Sequence, residues 1–250
     1  MSMIHRGFVD LPANAKPGGF DHAAVDEAAG RLYVAHTCND SVDVIDCTND
    51  SYIGSIGGLV GVAGALVSGV HGLVFTSNRG EDTVGILPVD DWAAVARVAV
   101  GARPNGLAYD PGRGLLLVAH VGDPAIAGSF TVSLVDVSRL KRIADIEVAG
   151  RTRWAVYDPT TDAFYVNIMD PPLIVVVKAG ESTSVEREFA VPAAGPHGLD
   201  IDIAQGLLFC ACDGGRLFGL ETGSGRVVME AEIGGVPDVV FFNAERGHVY

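Results

Sequence analysis

Five polar residues that could bind a ligand recur at matching places in a repeating sequence. They are Asp21, Asn105, Arg153, His197 and Asp238. Carboxylate and amide oxygens are the ligands that Ca²⁺ and Mg²⁺ prefer, so Asp21, Asn105 and Asp238 form a candidate metal set. An arginine such as Arg153 can pair with an anionic ligand. The five residues therefore predict a site for a divalent metal or an anion, provided that the fold brings them together.

The spacing of these residues follows a sequence unit of about 42 residues. The segment Gly30–His36 is echoed by Gly72–Asn78 and again by Gly114–His120, with both spacings equal to 42. Further copies begin at Asp162 and Gly206, and a partial copy begins at Gly247. A period of this length that carries strand signals is typical of a β-propeller with one blade per repeat.

The repeats predict an all-β fold, a β-propeller of four-stranded antiparallel blades with five complete blades and the start of a sixth. The predicted blades span about residues 20–57, 62–101, 104–150, 152–192 and 196–235, with a partial blade at 237–250. Residues 1–19 form an N-terminal segment in which Gly7–Leu11 is a candidate outer strand that would close the ring. Because the last repeat stops inside a strand, we expect a piece of a propeller of about seven blades, or self-association through an open edge.

The predicted fold places the polar residues around a central channel. The first strand of each blade lines that channel, so equivalent residues should meet at one mouth. The second strands end in His36, Asn78 and His120, which we expect on the same face, and Trp154 could stack on a planar ligand. The alternative is that such polar residues are solvated or hydrogen-bond neighbouring blades, and that the recurring histidines serve packing.

Composition and charge limit the classes of partner that this chain is expected to bind. The formal net charge of −14 disfavours binding to nucleic acid, whose phosphates an acidic surface repels. The stretch Gly57–Phe75 lacks charged residues but holds six glycines, which argues against a membrane helix. The N-terminus lacks the apolar core of a secretory signal, and the four cysteines form no disulfide framework, so we predict a cytoplasmic protein.

Two segments carry a resemblance to known propellers. Phe75-Thr76-Ser77-Asn78, continued by Asp82-Thr83-Val84-Gly85-Ile86, resembles the YVTN repeat of YncE-like propellers, and Tyr33-Val34-Ala35-His36 fits the same pattern. The chain is similar to NHL-repeat proteins almost as closely. Such a resemblance implies a closed ring of six to eight blades, commonly without known enzymatic activity.

A narrower resemblance concerns the segment Arg103-Pro104-Asn105-Gly106-Leu107-Ala108-Tyr109. It is similar to the part of gluconolactonase and regucalcin-like propellers whose asparagine binds a divalent metal. This resemblance implies a metal-dependent lactone hydrolase in which Asp21, Asn105 and Asp238 hold Ca²⁺ or Mg²⁺. Arg153 or His197 would then orient the substrate. A cation at Arg153 disfavours a metal beside it, because like charges repel.

The sequence contains no signature of a common enzyme class. Zinc-protease, P-loop, dinucleotide-binding and nucleophile-elbow motifs are all missing from it. The favoured interpretation is therefore a scaffold whose channel face binds a small molecule or a protein. The alternative is the divalent-metal-dependent lactonase.

Overall fold

Runs of β-branched and aromatic residues between glycine- and aspartate-rich turns form antiparallel strands from Ala23 to Val249. The computed structural model describes residues 5, 7–178, 180 and 184–250. These residues form five four-stranded antiparallel sheets and a two-stranded sixth sheet, in chain order. The fold is a β-propeller, as the repeat predicts.

Each complete blade is a meander of four strands. Blade 1 contains β1 (Ala23–Asp26), β2 (Arg31–His36), β3 (Ser41–Asp46) and β4 (Ser51–Gly57). Blade 2 contains β5 (Val62–Ser68), β6 (Leu73–Asn78), β7 (Thr83–Pro88) and β8 (Ala96–Ala99). Blade 3 contains β9 (Pro104–Asp110), β10 (Leu115–His120), β11 (Thr131–Asp136) and β12 (Lys141–Glu147).

The later blades repeat the arrangement. Blade 4 contains β13 (Thr152–Asp158), β14 (Ala163–Ile168), β15 (Leu173–Lys178) and β16 (Arg187–Ala190). Blade 5 contains β17 (Pro196–Asp202), β18 (Leu207–Cys212), β19 (Arg216–Glu221) and β20 (Val227–Glu232). The sixth sheet pairs β21 (Phe242–Asn243) with β22 (His248–Val249).

The turn between the first and second strands explains the most regular feature of the repeat. One residue in each of these turns is left-handed, with φ between 55° and 64°: Gly30, Gly72, Gly114, Asp162, Gly206 and Gly247. Glycine adopts this conformation without steric cost, which accounts for five of the six copies. The aspartate that ends the first strand also caps the turn, as where Asp110 Oδ1 accepts a hydrogen bond of 2.8 Å from the Gly112 amide.

The hydrophobic core lies between neighbouring blades. One cluster joins blades 3 and 4 and includes Leu117, Leu134, Phe164 and Val175. Separate clusters join blades 1 and 2, blades 2 and 3, blades 4 and 5, and blade 5 with the sixth sheet. The first strands of successive blades are neighbours, so β1, β5, β9, β13 and β17 surround a central channel.

The N-terminal segment packs on blade 1 without joining a sheet. Residues 1–4 and 6 of the predicted 1–19 segment lie outside the described residues, and Gly7–Leu11 forms no strand. The amide of Ala15 instead donates to Asn39 Oδ1 at 2.6 Å, next to a short 3-10 helix at Thr37–Asn39. Within the described part of the chain, no helix is long and apolar enough to cross a membrane.

Candidate functional site

The first strands and the turns beside them bring the five polar residues into one cluster at a channel mouth. On one side of the cluster, Arg79 joins two first-strand positions. Its guanidinium donates to Asn105 Oδ1 and, at 3.3 Å, to Asp21 Oδ2. Arg79 comes from the turn after β6, so a second-to-third-strand turn reaches the channel face here.

On the other side of the cluster, His197 lies between two carboxylates. Its Nδ1 lies 2.7 Å from Asp213 Oδ1, and its Nε2 lies 2.8 Å from Asp238 Oδ1. Arg153 Nη1 lies 3.0 Å from His197 Nε2, and its Nη2 lies 3.9 Å from Asp213 Oδ2. Asp213 belongs to the turn after β18, which corresponds to the turn that carries Arg79.

A third group connects the two sides. Ligand atoms of Asp21, His22 and Asp238 all lie within 4.8 Å of one another. His22 Nε2 is 3.2 Å from Asp21 Oδ1. Two carboxylates and an imidazole at this separation could hold a divalent cation. The donor set differs from the predicted Asp21, Asn105 and Asp238, because Asn105 Oδ1 is occupied by Arg79 and His22 stands nearby instead.

The environment sets the charge of this group. Burial lowers the pKa of His22 to about 4, so its imidazole is neutral near pH 7 and keeps a lone pair. Burial raises the pKa of Asp21, with the charge of Arg79 opposing that change and the charge of Asp238 adding to it. The hydrogen bond from His197 lowers the pKa of Asp238, which therefore remains ionised.

Several arginines crowd the same mouth. Burial lowers the pKa of Arg79, Asp21 opposes this, and the nearby charges of Arg103 and Arg151 lower the pKa further. Burial and then the charge of Arg151 likewise lower the pKa of Arg153. The Nε atoms of Arg79, Arg151 and Arg153 are buried and have no hydrogen-bond partner among the described residues. Buried donors of this kind are rare in proteins and cost free energy.

The second-strand residues do not reach the channel, contrary to the expectation for His36, Asn78 and His120. All three are fully buried. His36 bonds Asp43 at 2.7 Å and Asn14 at 3.0 Å, and Asn78 donates to Thr83 at 3.0 Å. His120 lies between Thr131 and the Gly101 amide. The physical reason is that the second strand is one strand away from the channel, so its side chains point into the sheet interfaces.

Trp154 lies in the channel, one residue after the polar position. In blades 2, 3 and 5 the residue at this place is Gly64, Gly106 or Gly198. A Cβ on Gly64 or Gly106 would approach the backbone of the next first strand to 2.5 or 2.4 Å, and one on Gly198 would approach Val239, just before β21, to 2.8 Å. Blades 1 and 4 carry His22 and Trp154 instead. Their rings meet edge to face with centroids 4.1 Å apart, so they close the channel below the charged mouth.

The insertion at Gly122–Ser129 belongs to the same face. Gly122 accepts a hydrogen bond of 3.4 Å from Arg103, and Asp123 and Ser129 bond each other. The insertion is therefore closed on itself beside the mouth, and the hydrogen bond from Arg103 connects it to the arginines there. Arg79 and Asp213 come from second-to-third-strand turns that differ in sequence between the repeats, so the repeat pattern did not single them out.

Comparison with known proteins identifies the fold. No protein-family model and no curated protein sequence matches the chain. Among solved structures, the chain is similar to one titled Kuenenia stuttgartiensis hydrazine synthase, with a TM-score of 0.67 and 12% sequence identity. The match covers 96% of this chain and 97% of that chain. At this identity the similarity shows the fold alone.

Proposed function

We propose that this propeller is a binding protein that takes up a small anionic molecule at the channel mouth. The observation that carries the proposal is the set of three arginine Nε atoms, on Arg79, Arg151 and Arg153, which are buried without a partner in the described chain. The side chains of Arg79 and Arg153 remain 29% and 13% exposed at the mouth, so a carboxylate or phosphate bound there would accept hydrogen bonds from their guanidinium groups. Charge-assisted bonds of this kind are stronger than neutral ones, and arginine binds such groups in a bidentate geometry.

The arrangement of the acidic residues supports this ligand class. Asp213 and Asp238 face the two ring nitrogens of His197, and Asp21 is shared between Arg79 and His22. The carboxylates are thus engaged largely by histidines, which leaves arginine donors available. Four arginines at one place also contrast with a formal net charge of −14 for the whole chain. A local positive potential in an acidic protein favours an anion at that place.

Titration calorimetry with citrate and with inorganic phosphate, at pH 7.5 and low salt, tests the proposal. We expect at least one of the two to bind, and Arg153→Gln and Arg79→Gln to weaken that binding about tenfold, because a hydrogen bond to a charged group is worth about 1.5–3 kcal/mol. Arg216→Gln is the control, since Arg216 pairs with Glu230 and Glu232 on the outer part of blade 5. Failure of both anions to bind, or wild-type affinity in both mouth variants, would overturn the proposal.

The second candidate is a divalent-metal-dependent hydrolase of the lactonase type. It is favoured by one observation, the close approach of Asp21, His22 and Asp238. In such an enzyme the cation would polarise a carbonyl group of the substrate, and Arg153 or His197 would orient the substrate beside it. The position of Arg79, 3.3 Å from Asp21, counts against this candidate, because a second cation would lie next to the metal.

A further inference from the structure

Below the charged mouth, the channel contains a cavity of about 510 Å³. A volume of this size suits a small organic molecule. First strands of all five complete blades line the cavity, and its outer end lies among Val25, Val70 and Pro111. Val70 and Val25 are exposed, so the cavity opens on the face opposite the charged mouth. His22 and Trp154 form its inner end.

The wall of this cavity is apolar and aromatic. Tyr109, Trp154, Tyr157 and Phe241 contribute rings, and valines and alanines are the most numerous of the other lining residues. The ring centroids of Trp154 and Phe241 lie 6.4 Å apart in an edge-to-face arrangement. No lysine or arginine of the described chain lines the cavity. The cavity therefore differs in chemistry from the mouth above it.

One acidic residue, Asp200 of β17, faces this space. Its Oδ1 accepts a hydrogen bond of 2.8 Å from the Ile201 amide, and its Oδ2 accepts one of 2.6 Å from the Phe242 amide. Both donors are neutral, and no described residue forms an ion pair with Asp200. Burial raises the pKa of this carboxyl. A partly buried carboxylate without a cationic partner is costly, and a positive charge beside it would offset that cost.

We propose that this cavity is a second ligand site, which binds an organic cation with an apolar body. The ammonium group lies at Asp200 and beside the ring of Phe241, and the apolar body packs against Trp154. Aromatic rings attract a cation over their faces, which adds to the attraction of the carboxylate. The net charge of −14 raises the local concentration of cations around the protein. The site is separate from the anion site and does not depend on it.

Three probes with one body and different head groups test the proposal. These are 4-phenylbutylamine, 4-phenylbutanol and 4-phenylbutanoate, each titrated calorimetrically into the full chain at pH 7.5. We expect the amine to bind about tenfold more tightly than the alcohol, as a charge-assisted hydrogen bond requires. Asp200→Asn should reduce the affinity for the amine to that for the alcohol. Asp202→Asn, two residues along β17 and outside the cavity wall, is the matched control.

A second variant separates ligand binding from folding, because Asp200 also accepts bonds from two amides. Phe241→Leu keeps apolar volume and removes a ring, so it should weaken amine binding about threefold and leave alcohol binding unchanged. Equal affinity for amine and alcohol in the wild-type protein would overturn the proposal. Butanoate that binds as tightly as the amine and keeps that affinity in Arg153→Gln would also overturn the proposal, because a carboxylate at Asp200 should be repelled.

Discussion

His120 shows how a single buried side chain couples this fold to pH. The Gly101 amide donates to its Nε2 at 3.2 Å, and its Nδ1 lies 2.8 Å from Thr131 Oγ1. Protonation at Nε2 would break the first of these bonds at a fully buried position. Burial accordingly lowers the pKa of His120 to about 4. The residue therefore stays neutral in the folded protein under conditions in which an unfolded histidine is protonated.

We predict that the free energy of unfolding falls as the pH drops from about 6.5 to about 4. In that window the unfolded chain binds a proton at His120 and the folded chain does not, so stability rises with pH, by about 1.4 kcal/mol per pH unit for each proton. Urea unfolding at a series of pH values should show a slope smaller by one proton in His120→Gln. His248→Gln, at an exposed position, should keep the full slope. Identical slopes in all three proteins would contradict the prediction.

The metal candidate makes its own prediction at the residue scale. If Asp21, His22 and Asp238 hold a cation, millimolar Mn²⁺ or Zn²⁺ should raise the melting temperature, because a ligand that binds only the folded state stabilises it. His22→Gln and Asp238→Asn should each remove that rise. Asn105→Ala should retain it, because Arg79 already occupies the Asn105 amide oxygen. The hypothesis fails if none of Ca²⁺, Mg²⁺, Mn²⁺ and Zn²⁺ changes the melting temperature of the wild-type protein.

At the scale of the strands, close packing around the channel depends on one glycine in each of blades 2, 3 and 5, namely Gly64, Gly106 and Gly198. A Cβ on Gly106 would lie 2.4 Å from the carbonyl oxygen of Arg153 in the neighbouring first strand. Neither atom belongs to a flexible side chain, so β9 and β13 would have to separate. We predict that Gly106→Ala costs about 1–3 kcal/mol of stability, the usual range for an overpacked core.

Thermal unfolding of Gly106→Ala measures this cost. For a chain of this size, about 1 kcal/mol corresponds to a change of about 2–4 °C in melting temperature. Gly57→Ala is the matched control, because a Cβ at Gly57 meets nothing within 4 Å. If Gly106→Ala and Gly57→Ala have equal melting temperatures, the prediction is wrong, because β9 and β13 can then separate without a loss of stability.

The strands could be predicted from the sequence more completely than the site. The turn glycines mark the strands locally, and each sheet lies within one of the predicted blade ranges. The contact between His22 and Trp154 joins blades 1 and 4 across the channel, and no local pattern encodes it. Arg79 was missed for a related reason, since its turn varies in length and composition between repeats.

Equivalence of repeats also misled the prediction for the second strands. Repeat symmetry correctly indicates that His36 and His120 occupy equivalent places, but it does not say whether those places face the channel. Their burial follows from the order of strands within a blade, which leaves only the first strand at the channel. The residues that the alignment grouped with Asp21 do meet, because they stand at the start of that first strand.

At the scale of the whole molecule, stability should vary around the ring. The cluster between blades 3 and 4 draws on strands β9 to β15, whereas the cluster beside the sixth sheet rests on Phe209, Leu217, Val240 and a few partly buried neighbours. In repeat proteins, stability is approximately a sum of repeat and nearest-neighbour terms. Blades that form large apolar interfaces with both neighbouring blades should therefore unfold locally least often.

We predict that hydrogen exchange is slowest in β10 and β14 and fastest in β21 and β22. The central strands are buried between two interfaces, while each strand of the sixth sheet has two residues. Exchange followed by mass spectrometry under native conditions resolves these segments. Uniform protection across all six sheets would instead indicate a single cooperative unit that opens only by global unfolding.

One position of the repeat sets the width of the channel. It is occupied by His22, Gly64, Gly106, Trp154 and Gly198. These side chains lie outside the apolar clusters that hold the blades together. The exception is Trp154, which packs against the cluster between blades 4 and 5. A duplicated sequence unit thus lets the opening widen or narrow by single substitutions while the ring persists. Replacing His22 and Trp154 with glycine would join the charged mouth and the apolar cavity below it into one continuous channel.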